Sequence, residues 1–261
     1  MKIKEVLCAL ERFAPLPLQE DFDNAGLQIG LTETEVSGAL LCLDVTEKIV
    51  DEAISKGCNL IVSHHPLLFH ALKMISDGDE VQQTVMKAIQ NNIAVISMHT
   101  NMDNAKDGVN FKIAEKMGLD FVRFFSTKTV NGIECGSGVI GQFTEPQAAD
   151  DFIIHLKKTF DVECVQCNQL LRREIKNVAI CGGAGSFLLD DAIKEGANAF
   201  VTGEMHYHEY FGHDQEIQIA VIGHYQSEQY TNEIFKSIIK DECKDVPVLM
   251  AETNTNPIIY L

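Results

Sequence analysis

Three short apolar runs in this chain stop abruptly on polar segments that contain histidine. Residues 59–63 run into His64-His65-Pro66, and residues 93–98 into His99-Thr100-Asn101-Met102-Asp103. Residues 217–222 run into Gly223-His224-Tyr225-Gln226-Ser227-Glu228. Apolar runs of this length fit strands buried on both faces. Imidazoles and carboxylates are costly to bury unless they pair or bind a cation. Their recurrence at strand ends points to one shared polar site, with donors enough for two ions.

The flanking residues alternate strand and helix. Residues 39–43 read as a strand, after which Asp44-Val45-Thr46 turns the chain and Thr46 caps a helix. Ile49, Val50, Ala53 and Ile54 share one helical face, and Gly57 closes the helix. A second helix over 81–91 separates the strands at 59–63 and 93–98. This βαβαβ order implies a mainly parallel sheet covered by helices. The second half repeats it, with strands at 178–181, 199–202 and 217–222 and a helix at 187–194.

The halves align at an offset of 139 residues, which separates Cys42 from Cys181 and Gly57 from Gly196. At that offset Asp51 meets Asp190, Ala53-Ile54 meets Ala192-Ile193, and Asn59 meets Asn198. Ile93-Ala94-Val95-Ile96 also recurs as Ile219-Ala220-Val221-Ile222. We read an internal repeat: two similar α/β lobes with mainly parallel sheets, spanning 1–126 and 127–261. The last segment is free to return to the first lobe. His64-His65 then corresponds to Gly203-Glu204, and His99 lies near the match of His224. Open α/β sheets bind ligands at the carboxyl ends of their strands, so the site is expected between the lobes. The glycine-rich stretch 127–143 reads as the crossover, with a helix from Thr144 and Pro146 to about residue 160.

Bulk properties exclude several classes. At 261 residues and nearly half apolar, the chain can bury a substantial core. It contains no apolar run of membrane-span length and no leader-like N-terminus, so a cytoplasmic protein is expected. A net charge of −17 disfavours nucleic acid or anionic membranes as partners. The eight cysteines are scattered and fit reduced thiols. Cys164-Val165-Gln166-Cys167 lacks the second pair that a structural zinc site needs.

The donor set suits zinc, iron, manganese, nickel or cobalt better than calcium or magnesium. His224 and Glu228 are four apart, on one face of a helix running to about Lys240. Glu228 or Asp103 can bridge two ions. Two divalent ions about 3.5–4 Å apart lower the pKa of a shared water and favour hydrolysis at carbon or phosphorus. His99 is a candidate for proton transfer or substrate contact. Glu204 and His208, just beyond the strand at 199–202, are further pocket candidates. Cys181-Gly182-Gly183-Ala184-Gly185-Ser186 reads as a tightly packed strand-to-helix turn. It lacks the Lys-Ser/Thr ending of a P-loop.

These segments, in this order, resemble the Nif-three-like dinuclear metal-centre family, also labelled GTP cyclohydrolase 1 type 2 homologue. The matching segments include Phe22-Asp23-Asn24-Ala25-Gly26, where the family usually has Trp in place of Phe22, then Cys42-Leu43-Asp44-Val45-Thr46, Ser63-His64-His65-Pro66 and His99-Thr100-Asn101-Met102-Asp103. Thr202-Gly203-Glu204 and Gly223-His224-Tyr225-Gln226-Ser227-Glu228 complete the set. The resemblance covers nearly the whole chain. It implies metal ligation by His64, His65, Asp103, His224 and Glu228, and a toroidal homohexamer built as a trimer of dimers. The family often carries arginine in the glycine loop where this chain has Val139. The leading functional expectation is a dinuclear hydrolase acting on a nucleotide or phosphorylated small molecule. The alternatives are a phosphoesterase and a non-enzymatic metal-binding ring.

Overall fold

A computed structural model describes residues 1–259. Its contacts divide the chain into two compact units: Met1–Ala105 with Thr231–Pro257, and Lys106–Tyr230. The first unit opens with α1 (Ile3–Phe13), β1 (Gly26–Ile29), β2 (Ala39–Cys42) and α2 (Glu47–Ser55). It continues with β3 (Leu60–Ser63), α3 (Glu80–Gln90), β4 (Ala94–Ser97) and α4 (Thr100–Asn104). The second unit begins with α5 (Val109–Met117), β5 (Asp120–Phe124), β6 (Lys128–Val130) and β7 (Ile133–Cys135). Next come β8 (Val139–Gln147), α6 (Ala149–Phe160), β9 (Gln166–Cys167) and β10 (Ile175–Cys181). It ends with α7 (Leu189–Lys194), β11 (Ala199–Thr202), β12 (Gln218–Val221) and α8 (His224–Glu228). The chain then returns to the first unit through α9 (Thr231–Glu242) and β13 (Val248–Met250).

In the first unit the strand order is β1-β4-β3-β2-β13. Every pairing is parallel except β1 with β4. All residues of β2, β3 and β4 are buried, which is why these runs show no polar alternation. Leu40, Ile61 and Val95 pack under Ile49, Val50 and Ala53 of α2 and Val85 and Ala88 of α3. The alternate residues face the other way, where α9 lies on β2 with α1 beside it. Thr46 caps α2 by accepting from the Ile49 amide. The return of α9 and β13 fills the place that the soft C-terminal boundary left open.

The second sheet differs from the mainly parallel expectation. Its order is β5-β8-β10-β11-β12-β9. Only β10–β11 and β11–β12 are parallel, whereas β5–β8, β8–β10 and β9–β12 are antiparallel. Part of the difference lies in the stretch expected to be a plain crossover, which also forms a separate two-stranded sheet. Asn131 and Gly132, at φ 52° and 81°, turn a two-residue hairpin between β6 and β7. The chain then enters the long strand β8, which takes in Thr144 and Pro146 as strand residues and not as a helix start. The β5 ladder ends at Gln142, so Pro146, lacking an N–H, lies beyond it. Helix α6 starts only at Ala149. The 126/127 division also differs from the observed units. Helix α5 packs on β8, β10 and α6, and β5 pairs with β8.

The repeat is visible hydrogen bond by hydrogen bond. Asn59 Oδ1 accepts from the Ser37 amide, and Asn198 Oδ1 accepts from the amide of Lys176, the position matching Ser37. Cys58 N donates to Ala53 O as Ala197 N does to Ala192 O. Gly57 and Gly196 close their helices at φ 69° and 77°. The registers Leu60↔Ala94 and Ala199↔Gln218 set the third strands at an offset of 124. The repeated Ile-Ala-Val-Ile letters, at an offset of 126, are therefore two residues out of structural register. No helix among the described residues is long and apolar enough to cross a membrane.

Candidate metal centre

In the first unit, β3 ends at Ser63 and β4 at Ser97, directly paired. Their hydroxyls hydrogen-bond each other at 2.8 Å. Beyond them the chain turns and presents His64, His65 and His99 side by side, with ring centroids 5.0–5.5 Å apart. Adjacent residues would diverge on a regular strand; here the strand has ended, so both rings converge. One ligand atom from each of the three imidazoles falls within 4.8 Å of the others, a grouping able to hold a metal ion.

Each ring is held by its Nδ1 atom. His64 is fully buried and donates Nδ1–H to Met98 O at 2.9 Å. A carbonyl can only accept, so Nε2 carries the lone pair. His65 donates Nδ1–H to Asp44 Oδ1 at 2.7 Å, and Asp44 Oδ2 accepts from Thr255 Oγ1 at 2.7 Å. Burial alone would raise the Asp44 pKa. The bonds from His65 and Thr255 outweigh it and hold the carboxyl below its ordinary range. His99 donates Nδ1–H to Asp23 Oδ1 at 2.8 Å, while Asp23 Oδ2 takes the Thr100 amide and hydroxyl. Burial again opposes ionisation, but these bonds bring Asp23 down to about 2.

Asp103 comes from α4, whose position is set by buried asparagines. Asn101 Nδ2 donates to Ala14 O at 2.7 Å, and Asn104 Nδ2 to Leu18 O at 2.8 Å. Asp103 Oδ1 then faces His64 Nε2 at 3.6 Å.

The second unit carries a smaller version of the same design. His224 Nδ1 bonds Glu204 Oε1 at 3.0 Å, and His224 Nε2 lies 3.0 Å from Glu228 Oε2. Glu228 is buried although it is a carboxylate. It lies directly over the glycine turn: a Cβ on Gly183, whose φ is +58°, would fall 2.2 Å from Glu228 Oε1. Gly203 is equally tight, its Cβ position lying 2.7 Å from Gly183 O. The glycine-rich segment is thus the packing turn expected from its sequence.

These donors fit a cation. An imidazole lone pair facing a carboxylate oxygen is repulsive unless a proton or metal lies between them, and each unit holds one such pair. The donor set of nitrogen and oxygen atoms matches a transition-metal ion. The sequence singled out the rings but missed their supports. Asp44 and Asp23 lie inside the matched segments, yet no spacing rule ties them to residues 21 and 76 positions away. Glu204 serves as the support of His224. His208 is exposed and packs beside Tyr207 and Phe211. The helix through Glu228 is also shorter than expected. It ends at Glu228, and α9 begins afresh at Thr231. Val139 is a buried strand residue.

A model of the DUF34/NIF3 (NGG1p interacting factor 3) family matches residues 1–257. The chain belongs to that family. A curated member from Clostridium acetobutylicum, named GTP cyclohydrolase 1 type 2 homolog, is 30% identical over 98% of both chains. A Clostridium perfringens member of the same name is 33% identical over 87% of each. The crystal structure of Staphylococcus aureus protein SA1388 matches at a TM-score of 0.92 and 27% identity. That match spans 100% of this chain and 99% of the other. The fold is shared with a Bacillus cereus protein related to NIF3, at a TM-score of 0.90 and 24% identity over 100% and 99%.

Proposed function

We propose that this DUF34/NIF3 member binds two divalent transition-metal ions and hydrolyses a nucleotide or related phosphorylated small molecule. His64, His65 and Asp103 would supply the ligands of the first unit, and His224 and Glu228 those of the second. In this reading the chain works within a homohexameric assembly. The observation that carries it is the uniform anchoring of four imidazoles. Each is held at Nδ1 by an oxygen, which orients the ring and aims Nε2, as in established metal sites. The relatives' shared name, GTP cyclohydrolase 1 type 2 homolog, supports a nucleotide as substrate class.

Bound divalent ions supply Lewis acidity and lower the pKa of a water molecule. The protein's own groups do the rest. Asp44 and Glu204 orient the ligand rings. His99, held by ionised Asp23, keeps Nε2 at the cluster, where it can accept or return a proton. His208 has no role in this scheme.

The test is turnover of GTP and a panel of phosphoesters by metal-loaded protein, beside His65→Ala. The hydrolase reading expects turnover that the variant loses while its assembly, measured by light scattering, is kept. Full metal loading with no turnover across the panel would leave the metal-binding ring without an enzymatic role.

A further inference from the structure

Two phenylalanines stand in the open beside the imidazole cluster of the first unit. Phe22 and Phe69 are 67% and 39% exposed, and their ring centroids are 6.4 Å apart, edge to face. The Phe69 ring lies 6.0 Å from that of His99, and Phe22 immediately precedes Asp23, which holds His99. The loops carrying them are clamped together. Asn24 Nδ2 donates to Leu68 O at 2.6 Å, Leu68 N donates to Gln28 Oε1 at 3.1 Å, and Gln28 Nε2 donates to Asn24 O at 2.6 Å. Core packing does not explain these rings, because both are exposed. The clamp argues against loose loop side chains. Rigid aromatic rings offer contact area at low entropic cost. Two rings are far too small for a stable protein interface, which takes about 800 Å² from each partner. They suit one flat ring.

We infer that Phe22 and Phe69 form a stacking platform for a planar heteroaromatic ring. The preferred substrate is then a compound bearing a nucleobase, and not a simple phosphoester. This rests on the metal-hydrolase reading above and narrows its substrate class. Stacking on an aromatic face tolerates any base, so the platform gives affinity for the ring while the metal ligands and His99 act on the group beside it.

The test uses metal-loaded full-length protein and calorimetric titration with GTP, guanosine and inorganic tripolyphosphate. Phe22→Ala and Phe69→Ala are each expected to weaken GTP and guanosine about tenfold, leaving tripolyphosphate within about twofold. Phe22→Trp is expected to stay within about threefold of the parent, because a larger ring still stacks. The chain has no other tryptophan, so this variant carries a single reporter. Guanosine should quench its emission and tripolyphosphate should not. If tripolyphosphate binds but GTP affinity is indifferent to both rings, the metal site survives and the platform is refuted. If the alanine variants lose tripolyphosphate equally, the rings are structural supports and the platform is refuted too. If loaded protein binds no probe, the platform and the nucleotide-hydrolase reading fall together.

Discussion

Replacing Gly183 by alanine should cripple metal binding although Gly183 is neither a ligand nor a catalytic group. Two costs can be separated. The backbone at φ +58° charges any residue with a Cβ about 1–2 kcal/mol. The new methyl group also falls 2.2 Å from Glu228 Oε1, so the carboxylate must retreat by about 1 Å to reach ordinary contact. Glu228 is buried and has little room to do so without losing its 3.0 Å approach to His224 Nε2. Gly196→Ala is the matched control, with φ +77° and nothing within 4 Å of its Cβ position. It bears the backbone cost alone. Gly196→Ala should melt about 2–8 °C below the parent, and Gly183→Ala lower still. Only Gly183→Ala should lose metal affinity, by about 10- to 100-fold in chelator competition, as when the support of a ligand is disturbed. Equal metal affinity in the two variants would refute the reasoning, because Glu228 would then tolerate displacement.

Other expectations follow from the same contacts. Asp44→Ala removes the acceptor that orients His65 and should weaken metal binding about 10-fold or more by chelator competition; Thr255→Val should do so less. Unchanged affinity in Asp44→Ala would remove its assigned role. Glu52 accepts the amides of Glu252 and Thr253 and pairs with Lys56. Burial opposes its ionisation, yet these partners lower its pKa to about 2. A depressed folded pKa gives stability that is complete above the ordinary value of 4.5 and is lost as pH falls through about 2. Glu52→Gln should therefore cost about 1–3 kcal/mol at neutral pH and flatten that acid limb in denaturation curves. Asn59→Ala and Asn198→Ala should each cost about 1–3 kcal/mol in urea unfolding. The two should cost alike: Asn198 Oδ1 serves the amides of Lys176 and Asn177, and Asn59 pairs its acceptance from Ser37 with a bond from Nδ2 to Glu35 O.

Much of the fold was legible because burial on both faces leaves strands as apolar runs without polar alternation, their few polar residues at the ends, and helix caps such as Thr46 announce themselves. The repeat was legible through Gly57, Gly196, Asn59 and Asn198, whose roles depend on local backbone geometry. It misled at Ile93-Ala94-Val95-Ile96, where buried strands draw on few residue types and identity carries no register. The antiparallel strands of the second sheet are harder to read: Asn131-Gly132 signals only the separate β6–β7 hairpin that precedes β8, and the two-residue strand β9 carries no pattern of its own. Pro146 fits a helix start by sequence alone, yet β8 takes it in beyond the β5 ladder and at an irregularity of the β10 ladder, where proline is tolerated. The histidines of the site stood out because they interrupt apolar runs. Asp23 and Asp44 did not, since a supporting carboxylate is defined only by which ring it meets after folding. Glu204 is named by its place after a strand end, but its bond to His224 Nδ1 is likewise defined only after folding.

The most direct test is the metal content of protein purified without added metal, measured by mass spectrometry of the elements, for the parent and for a His64→Ala, His65→Ala double variant. The parent should carry about two transition-metal ions per chain and the variant markedly fewer, with its fold intact by circular dichroism. A parent free of transition metal, or a variant that retains the full complement, would contradict the assignment.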